Sequence, residues 1–237
     1  MKKNKYIIGV CCALCILVGS FVKTNQINRV RPIITESVTY DTPEALLISR
    51  PLVGKILQSF SNLEEKQGTY KALHHMESSI ITEECIKETN VYITVDRTLK
   101  TSVVQRSPIG RIFNAVSFYI DETGREIPLS SSHTVRVPIV YGYTKEYKLP
   151  LIDLLKFINS DEFLRSYIVG ITCNASGIFD LEPRTGNYRI HFGDMTSKSL
   201  KFSNFKAFYA KASKDNSLKN YKSVNLAIDN QVICTRI

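Results

Sequence analysis

The chain has 237 residues, of which 43% are hydrophobic and 22% charged, a composition typical of packed globular protein and unlike that of a disordered chain. It contains 31 Lys and Arg against 22 Asp and Glu, so its formal net charge is +9. The basic residues are scattered, and no basic run is interleaved with aromatic residues, which argues against nucleic acid as the partner and favours an acidic surface in general.

The first 22 residues predict export from the cytoplasm. A short basic head, Met1–Lys5, precedes 17 uncharged residues, Tyr6–Val22. As a helix this segment would span about 25 Å, close to the lower limit for crossing a membrane. A cleavable signal peptide is the alternative, because Val18–Ser20 offers the small residues that a cleavage site needs. In either case we expect the basic head on the cytoplasmic side and the rest of the chain beyond the membrane.

The first part of the exported chain predicts a small α+β domain. Ile33–Tyr40 alternates apolar and polar residues like a strand. Thr42–Phe60 begins with a good capping residue but contains Pro51, so it predicts two short helical pieces. After a polar stretch, Leu73–Ile86 predicts a further helix, and two strands joined by a turn at Asp96-Arg97 follow. We therefore expect helices on one side of a short sheet.

A second, mainly β domain is predicted to begin at Pro108. Its apolar-polar alternation indicates strands, and two stretches have the apolar spacing of amphipathic helices. The predicted elements are strands at 111–120, 127–129 and 135–142, a helix at 149–168 that is interrupted near Asn159-Ser160, where Ser160 can cap a second piece, a hairpin turning at 184–187, a helix with Phe205, Phe208, Tyr209 and Ala212 on its buried face, and a terminal hairpin.

The sequence shows no catalytic constellation. His74 and His75 are adjacent on a predicted helix, where their side chains point about 100° apart and make poor joint metal ligands. Asp121-Glu122 and Asp161-Glu162 lie in a predicted turn and at a helix start, where solvation and capping explain them. No nucleophile elbow, phosphate-binding glycine motif or zinc spacing occurs. We predict a protein that is not an enzyme, holds no metal or cofactor, and acts by binding.

Three cysteines, Cys85, Cys173 and Cys234, follow the apolar segment. In an oxidising compartment an odd number of thiols allows at most one disulfide. The sequence leaves open whether Cys173 and Cys234 form it.

The chain finishes on two short apolar runs, Val224–Ile228 and Gln231–Arg236. Asp229-Asn230 between them predicts a two-residue hairpin turn. A terminal edge strand presents unpaired backbone groups that proteins usually protect with charge or proline, and here only Arg236 offers such protection. The sequence does not say which of the two strands lies outermost.

Several stretches in a fixed order resemble one family. They are LKTSVVQRSPIGRIF, SFYIDETGREIPLS, LEPRTGNYRIHFGD, KFSNFKAFYAK and YKSVNLAIDNQVICTR. These stretches are similar to FtsQ/DivIB, a family of bitopic cell-division proteins, in the form found in Bacteroidetes. The resemblance covers about residues 90–236, and between residues 29 and 89 it rests on element order alone.

The resemblance implies a domain order and a location. The domains would be a cytoplasmic tail (1–5), a transmembrane helix (6–22), a juxtamembrane spacer with a POTRA-like α+β domain (23–107), and an FtsQ-type β domain with flanking helices (108–237). The resemblance favours a retained helix over a signal peptide. It implies a single-pass protein of the inner membrane, with its N-terminus in the cytoplasm and its bulk in the periplasm, enriched at the division septum.

The resemblance also implies a partner and a site. Proteins of this family are scaffolds that bind FtsB and FtsL, small bitopic division proteins, and help assemble or regulate the septal peptidoglycan synthesis machinery of the divisome. FtsB would add a strand to the C-terminal β edge, with Lys222 pairing an acidic residue of the partner. The matching residues here are Lys222, Ser223, Val224, Asn225, Leu226, Ala227, Ile228, Asp229 and Asn230. The alternative function is that of a periplasmic POTRA-type chaperone that binds polypeptides.

Overall fold

The structure is a computed structural model that describes residues 2–30, 34–41, 47–48, 50–130, 133–174, 176–228 and 230–237. The contacts divide the chain into two compact units. Unit 1 comprises Met1–Pro43 and Ser49–Val104, and unit 2 comprises Glu44–Ile48 and Gln105–Ile237.

The N-terminal helix α1 spans Lys2–Val30. Within it, Gly9–Ile27 is long and apolar enough to cross a membrane, and its side chains are exposed throughout. The helix continues past the apolar run because no proline or glycine interrupts the polar residues between Val22 and Pro32.

Unit 1 carries a three-stranded sheet of order β1-β3-β2, in which β1 runs parallel to β3. In the helix Thr69–Ile81, the side chains of Ala72, Met76 and Ile80 lie on one face at helical spacing and are fully buried. The elements are β1 (Ile34–Tyr40), α2 (Arg50–Gln58), α3 (Phe60–Gln67), α4 (Thr69–Ile81), β2 (Ile86–Ile93) and β3 (Thr98–Gln105). This is the predicted small α+β arrangement, with α4 packed against β2.

Two expectations for this region are wrong. Pro51 does not end a helix but is the second residue of α2, where the missing N–H has no intrahelical acceptor to lose. The polar stretch before Tyr70 is the helix α3, which Phe60 anchors in the core with 2% of its surface exposed. The first predicted helical piece falls mostly on residues 42–46 and 49, which lie outside the described residues.

Unit 2 is built on a nine-stranded mixed sheet of order β12-β11-β10-β9-β8-β7-β4-β5-β6. The pairs β4–β7, β7–β8 and β10–β11 are parallel, and the other pairs are antiparallel, as expected for a mainly antiparallel domain. The strands are β4 (Pro108–Ile112), β5 (Phe118–Asp121), β6 (Glu126–Pro128), β7 (Ile139–Tyr141), β8 (Ile168–Cys173), β9 (Phe179–Pro183), β10 (Arg189–Gly193), β11 (Tyr221–Asn225) and β12 (Ile233–Arg236).

Three helices cover one face of this sheet and close its core. They are α5 (Lys148–Ser160), α6 (Glu162–Tyr167) and α7 (Lys198–Lys214). The predicted apolar face of α7 is confirmed: Phe205 and Ala212 are buried, and Phe208 and Tyr209 pack against the same core. The flanking helices and the hairpin of β9 and β10 are therefore where the sequence pattern predicts them.

The opposite face between β7 and β12 carries polar side chains. One cross-strand row runs through neighbouring strands and consists of Tyr141, Thr172, Asp180, His191, Asn225 and Ile233. His191 Nδ1 lies 2.8 Å from Asp180 Oδ1 near the middle of this row. The members of this row are only partly buried or exposed, and Ile233 at the β12 end of the row is 44% exposed.

The cysteines of unit 2 do not form a disulfide. Cys173 in β8 and Cys234 in β12 are free thiols on strands that lie four positions apart in the sheet. At about 4.8 Å per strand this separation is roughly 19 Å, far beyond the reach of a disulfide within one chain. Burial raises the pKa of both thiols above the ordinary value.

Candidate strand-docking edge

The outermost strand of the sheet is β12. Strand β11 pairs with β10 through Ser223–Asn225 on one side and with β12 on the other, so it is an interior strand of the sheet. Among the described residues β12 pairs only with β11. The question that the sequence leaves open is thereby answered, because Ile233–Arg236 and not the preceding strand forms the edge.

The connection between these strands is longer than the predicted two-residue turn. Strand β11 ends at Asn225 because its side chain accepts a hydrogen bond from Ala227 N–H at 2.9 Å, which draws the chain out of the ladder. Leu226 N–H instead donates to His191 O at 2.8 Å. Asn230 has a φ of +58°, in the left-handed region that asparagine tolerates. Asp229, the other predicted turn residue, lies outside the described residues.

The backbone groups at the open edge follow from strand alternation. Ile237 N–H donates to Asn220 O at 3.0 Å, toward β11. Because successive residues of a strand direct their N–H and C=O groups to opposite sides, Ile233 and Thr235 also face β11. The N–H and C=O groups of Cys234 and Arg236 therefore point outward, where an added strand would bond them.

Aliphatic side chains surround this edge. Ile228 and Ile233 are each 44% exposed and Ile237 is 86% exposed. An edge strand that carries exposed aliphatic residues pairs readily with another chain. A strand added beside β12 would cover part of this apolar surface.

A polar groove of about 660 Å³ lies beside the edge, on the open face of the sheet. Its walls come from the ends of β9 and β10, from the turn between them, and from β11 and β12. The lining residues are Glu182, Pro183, Gly186, Asn187, Tyr188, Arg189, His191, Lys222, Ser223 and Thr235.

The groove carries a surplus of basic groups. Arg189 and Lys222 face it, against the carboxylate of Glu182, while His191, which also lines the groove, pairs with Asp180. Within the described part of the chain, neither Arg189 nor Lys222 forms an ion pair, and both side chains are exposed. An acidic side chain of a bound partner would find two unpaired cations here.

The structure distributes the sequence-predicted site residues over three environments. Lys222 and Ser223 line the groove, and Asn225 faces Ile233 on the open face. Val224 and Leu226 are buried in the core, with 0% and 1% of their surfaces exposed. The remaining members form the connection to β12, where Ala227, Ile228 and Asn230 are exposed and Asp229 lies outside the described residues.

Sequence reasoning missed Arg189, His191 and Thr235 as groove residues. They belong to β10 and β12, and the parallel pairing of β10 with β11 brings them beside Lys222. The available signal was the polar side of the alternation in YRIHF, where Arg189 and His191 flank a buried isoleucine.

The carboxylate pairs considered at the sequence level have structural roles. Asp161 caps α6 by accepting from Leu164 N–H at 3.0 Å, and its ion pair with Lys206 holds the pKa of Asp161 below the ordinary value. Among the described residues no cluster of His, Cys, Asp or Glu side chains could hold a metal ion. His74 and His75 are exposed on α4.

The fold and the edge define a class of protein. Among the described residues the chain has an N-terminal apolar helix, a small α+β unit, and a larger mixed-sheet unit whose last strand is paired on one side only. A model of the family described as FtsQ/DivIB, C-terminal related, matches residues 107–235, more than half of the chain. The chain belongs to the FtsQ/DivIB family, which confirms the resemblance seen in the sequence. Comparison with curated proteins gives no match.

Membership of the family assigns a role in cell division. FtsQ/DivIB proteins are non-enzymatic division proteins that act through protein–protein interactions, and the match covers all of β4 to β11 and most of β12. The candidate edge thus lies in the part of the chain that defines the family.

Proposed function

We propose that this protein is a bitopic scaffold of the inner membrane that binds FtsB and FtsL and helps assemble or regulate septal peptidoglycan synthesis. The observation that carries this proposal is the free edge of β12 within the family-matched domain. FtsB would supply a strand that extends the sheet beyond β12, and FtsL would be held through FtsB.

Backbone hydrogen bonds supply affinity in this arrangement. The outward N–H and C=O groups of Cys234 and Arg236 would exchange bonds with the partner strand, each bond contributing about 1 kcal/mol net. Side chains on the two faces of the added strand would meet different surroundings: the open polar face on one side and the helix-covered side on the other. This difference selects one register of the incoming strand.

The predicted site residues act in two ways under this proposal. Lys222 and Ser223, with Arg189 from β10, hold an acidic side chain of the partner in the groove. Val224 and Leu226 support the edge from inside the core. Because Lys222 and Arg189 are exposed, each pair contributes at most about 1 kcal/mol and acts more on association rate and partner choice than on affinity.

If α1 anchors the protein in the membrane, a weak contact at the β12 edge is sufficient for binding the partner. We propose that α1 stays in the membrane, with the cytoplasmic tail at 1–5, a transmembrane segment at 6–22 and the bulk in the periplasm. Residues 23–107 would form the spacer and the POTRA-like domain, and 108–237 the FtsQ-type β domain. Anchoring both partners in one membrane raises their effective concentration, so a short strand pairing suffices at the septum.

Hydrogen exchange of the full chain in lipid nanodiscs tests the proposal. A synthetic peptide covering the periplasmic C-terminal segment of FtsB is added, and backbone amide exchange is followed residue by residue. We expect slowed exchange at Cys234 and Arg236, whose N–H groups face the open edge. Protection confined to other strands, or no protection at saturating peptide, would overturn the proposed docking edge.

A further inference from the structure

The connection from β11 to β12 rests directly on the turn that follows β10. Gly193, the last residue of β10, has a φ of +82°, and a Cβ atom placed there would lie 2.8 Å from Ala227 Cβ and 3.3 Å from its Cα. Ala227 therefore occupies the space that any other residue at position 193 would fill. Two residues earlier, His191 O accepts the N–H of Leu226, so contact and hydrogen bond hold the same segment.

A buried lysine holds this turn in place. Lys201 of α7 is only 4% exposed, and its Nζ donates to both the backbone O and the Oδ1 of Asp194 at 3.0 Å. The ammonium also lies 5.1 Å from the centroid of the Phe192 ring. If the turn moved, a buried cation would lose its acceptors, and such a loss is costly in the protein interior.

The other end of the turn is fixed by Asp194. Its Oδ1 also accepts bonds from Thr196 N–H and from the Thr196 hydroxyl, and these bonds with that of Lys201 lower the pKa of Asp194 to about 2. The carboxylate is therefore ionised at every physiological pH. The contacts of Lys201 with Asp194 tie the turn to α7. We call Gly193, Asp194 and Lys201 together the turn bracket.

We propose that the turn bracket positions the docking edge by fixing Leu226 and Ala227, from which the chain enters β12. This inference rests on the proposed function. Within the described part of the chain, β12 is hydrogen-bonded to a neighbouring strand on one side only, so its register on β11 depends on where the connecting segment starts. Gly193, Asp194 and Lys201 touch no partner under this proposal and act through the geometry of Cys234 and Arg236.

Substitution Gly193→Ala in the full chain pushes Ala227 away from the bracket. We expect exchange of the β11-bonded amides of Ile233 and Thr235 to accelerate at least about fivefold, because displaced connections loosen strand register. Exchange at Ile171 and Leu181, in the middle of the sheet, stays at the wild-type rate. Affinity for the FtsB peptide falls about tenfold, since the edge no longer holds one geometry.

A second substitution separates the contact from backbone strain. Gly193→Ala combined with Ala227→Gly removes the 2.8 Å contact with Ala227 Cβ, while the 3.3 Å approach to the Cα of residue 227 and the alanine at a φ of +82° remain. We therefore expect exchange at Ile233 and Thr235 and peptide affinity to return part of the way to wild type. Gly177→Ala is the matched control, because Gly177 also has a positive φ of +72° but would meet Tyr147 in another loop. Gly177→Ala should leave amide exchange at Ile233 and Thr235 at the wild-type rate.

The possible results of these experiments distinguish the role of the turn bracket from the proposed docking function. Unchanged exchange at Ile233 and Thr235 in Gly193→Ala, or no recovery in the double variant, overturns the role of the bracket. If Gly193→Ala fails to fold, Asp194→Asn at an exposed side chain provides the same comparison by weakening the Lys201 bonds. Wild-type protein that does not bind the FtsB peptide overturns the docking function instead, while the exchange data still decide whether the bracket holds β12.

Discussion

At the scale of single residues, one buried carboxylate organises the start of the unit 2 sheet. Asp121 is 3% exposed; its Oδ2 accepts from Arg106 at 2.8 Å, and its Oδ1 accepts from the Thr123 and Arg125 N–H groups and the Thr123 hydroxyl. Burial by itself raises the pKa of Asp121, but the bonds from Thr123 and Arg106 outweigh it and the pKa lies below the ordinary value.

The depressed pKa of Asp121 predicts a pH dependence of stability. A carboxyl group whose pKa is lower in the folded than in the unfolded chain stabilises the fold above the unfolded pKa, near 4, and loses this contribution as pH falls through the folded pKa. We expect Asp121→Asn to lower the free energy of unfolding at pH 7 by about 3 kcal/mol, as for a broken buried ion pair. Urea unfolding of the wild type and Asp121→Asn at pH 7 and pH 3 checks this. An equal decrease in the free energy of unfolding at both pH values would contradict the prediction.

The basic groove predicts an effect on association with FtsB. Lys222→Glu places a negative charge in the groove, so we expect the association rate of the FtsB peptide to fall several-fold, with a smaller change at high salt. Lys219→Glu is the matched control, since Lys219 is equally exposed but does not line the groove. Stopped-flow binding at two salt concentrations checks this, and identical rates for both variants would remove Lys222 from the docking site.

At the scale of elements, the edge strands β2 and β12 differ in whether a side chain already bonds an outward backbone group. Strand β2 is an edge of the unit 1 sheet, and Glu77 of α4 accepts the N–H of Val91, in the middle of β2, at 2.9 Å. An edge N–H that is already bonded is less available to an incoming strand. This contact caps one outward N–H of β2, whereas Cys234 and Arg236 of β12 have no such cap among the described residues.

Removal of the Glu77 carboxylate tests this difference between the edges. We expect Glu77→Ala to speed amide exchange at Val91 and to lower the stability of unit 1 by about 1 kcal/mol. Glu77→Gln keeps an acceptor oxygen and should behave like wild type. Hydrogen exchange and thermal unfolding of the three proteins check this, and equal exchange at Val91 in all of them would contradict the capping role.

Local elements could be predicted from the sequence, and long-range pairings could not. The apolar spacing of α7 and the hairpin of β9 and β10 depend on neighbouring residues and appear in the pattern. Helix α3 was missed because most of its residues are polar and, among its described side chains, only Phe60 is fully buried. The edge position of β12 depends on the parallel pairing of β10 with β11 across 27 intervening residues of chain, including α7, for which the sequence carries no local signal.

At the scale of the whole molecule, the sequence points to the C-terminal segment of the candidate site but not to the residues that other strands add to its groove. The C-terminal stretch was identified from its unprotected apolar runs, and Lys222 and Ser223 do line the groove. Arg189, His191 and Thr235 come from other strands and become neighbours only in the folded sheet. A docking surface assembled from several strands shows in a sequence only through its most continuous segment.

The apolar N-terminal helix and membership of the division family lead to a testable prediction about location in the cell. If the proposed function holds, a fluorescent fusion to the N-terminus should concentrate at midcell in dividing cells, because anchoring and partner binding act together at the septum. A cleaved signal peptide would separate the fluorophore from the rest of the chain, which immunoblotting detects. Uniform envelope signal with an intact fusion would contradict the septal role.

Binding of the FtsB peptide to Cys234→Pro, compared with Cys234→Ala, tests the docking edge most directly. The N–H of Cys234 points away from β11, so proline there removes only an outward donor and an edge strand tolerates it. Calorimetric titration of the full chain in nanodiscs should show at least about tenfold weaker binding for Cys234→Pro, with wild-type affinity for Cys234→Ala and equal thermal stability of both variants. Equal affinity of the two variants would contradict strand addition at β12.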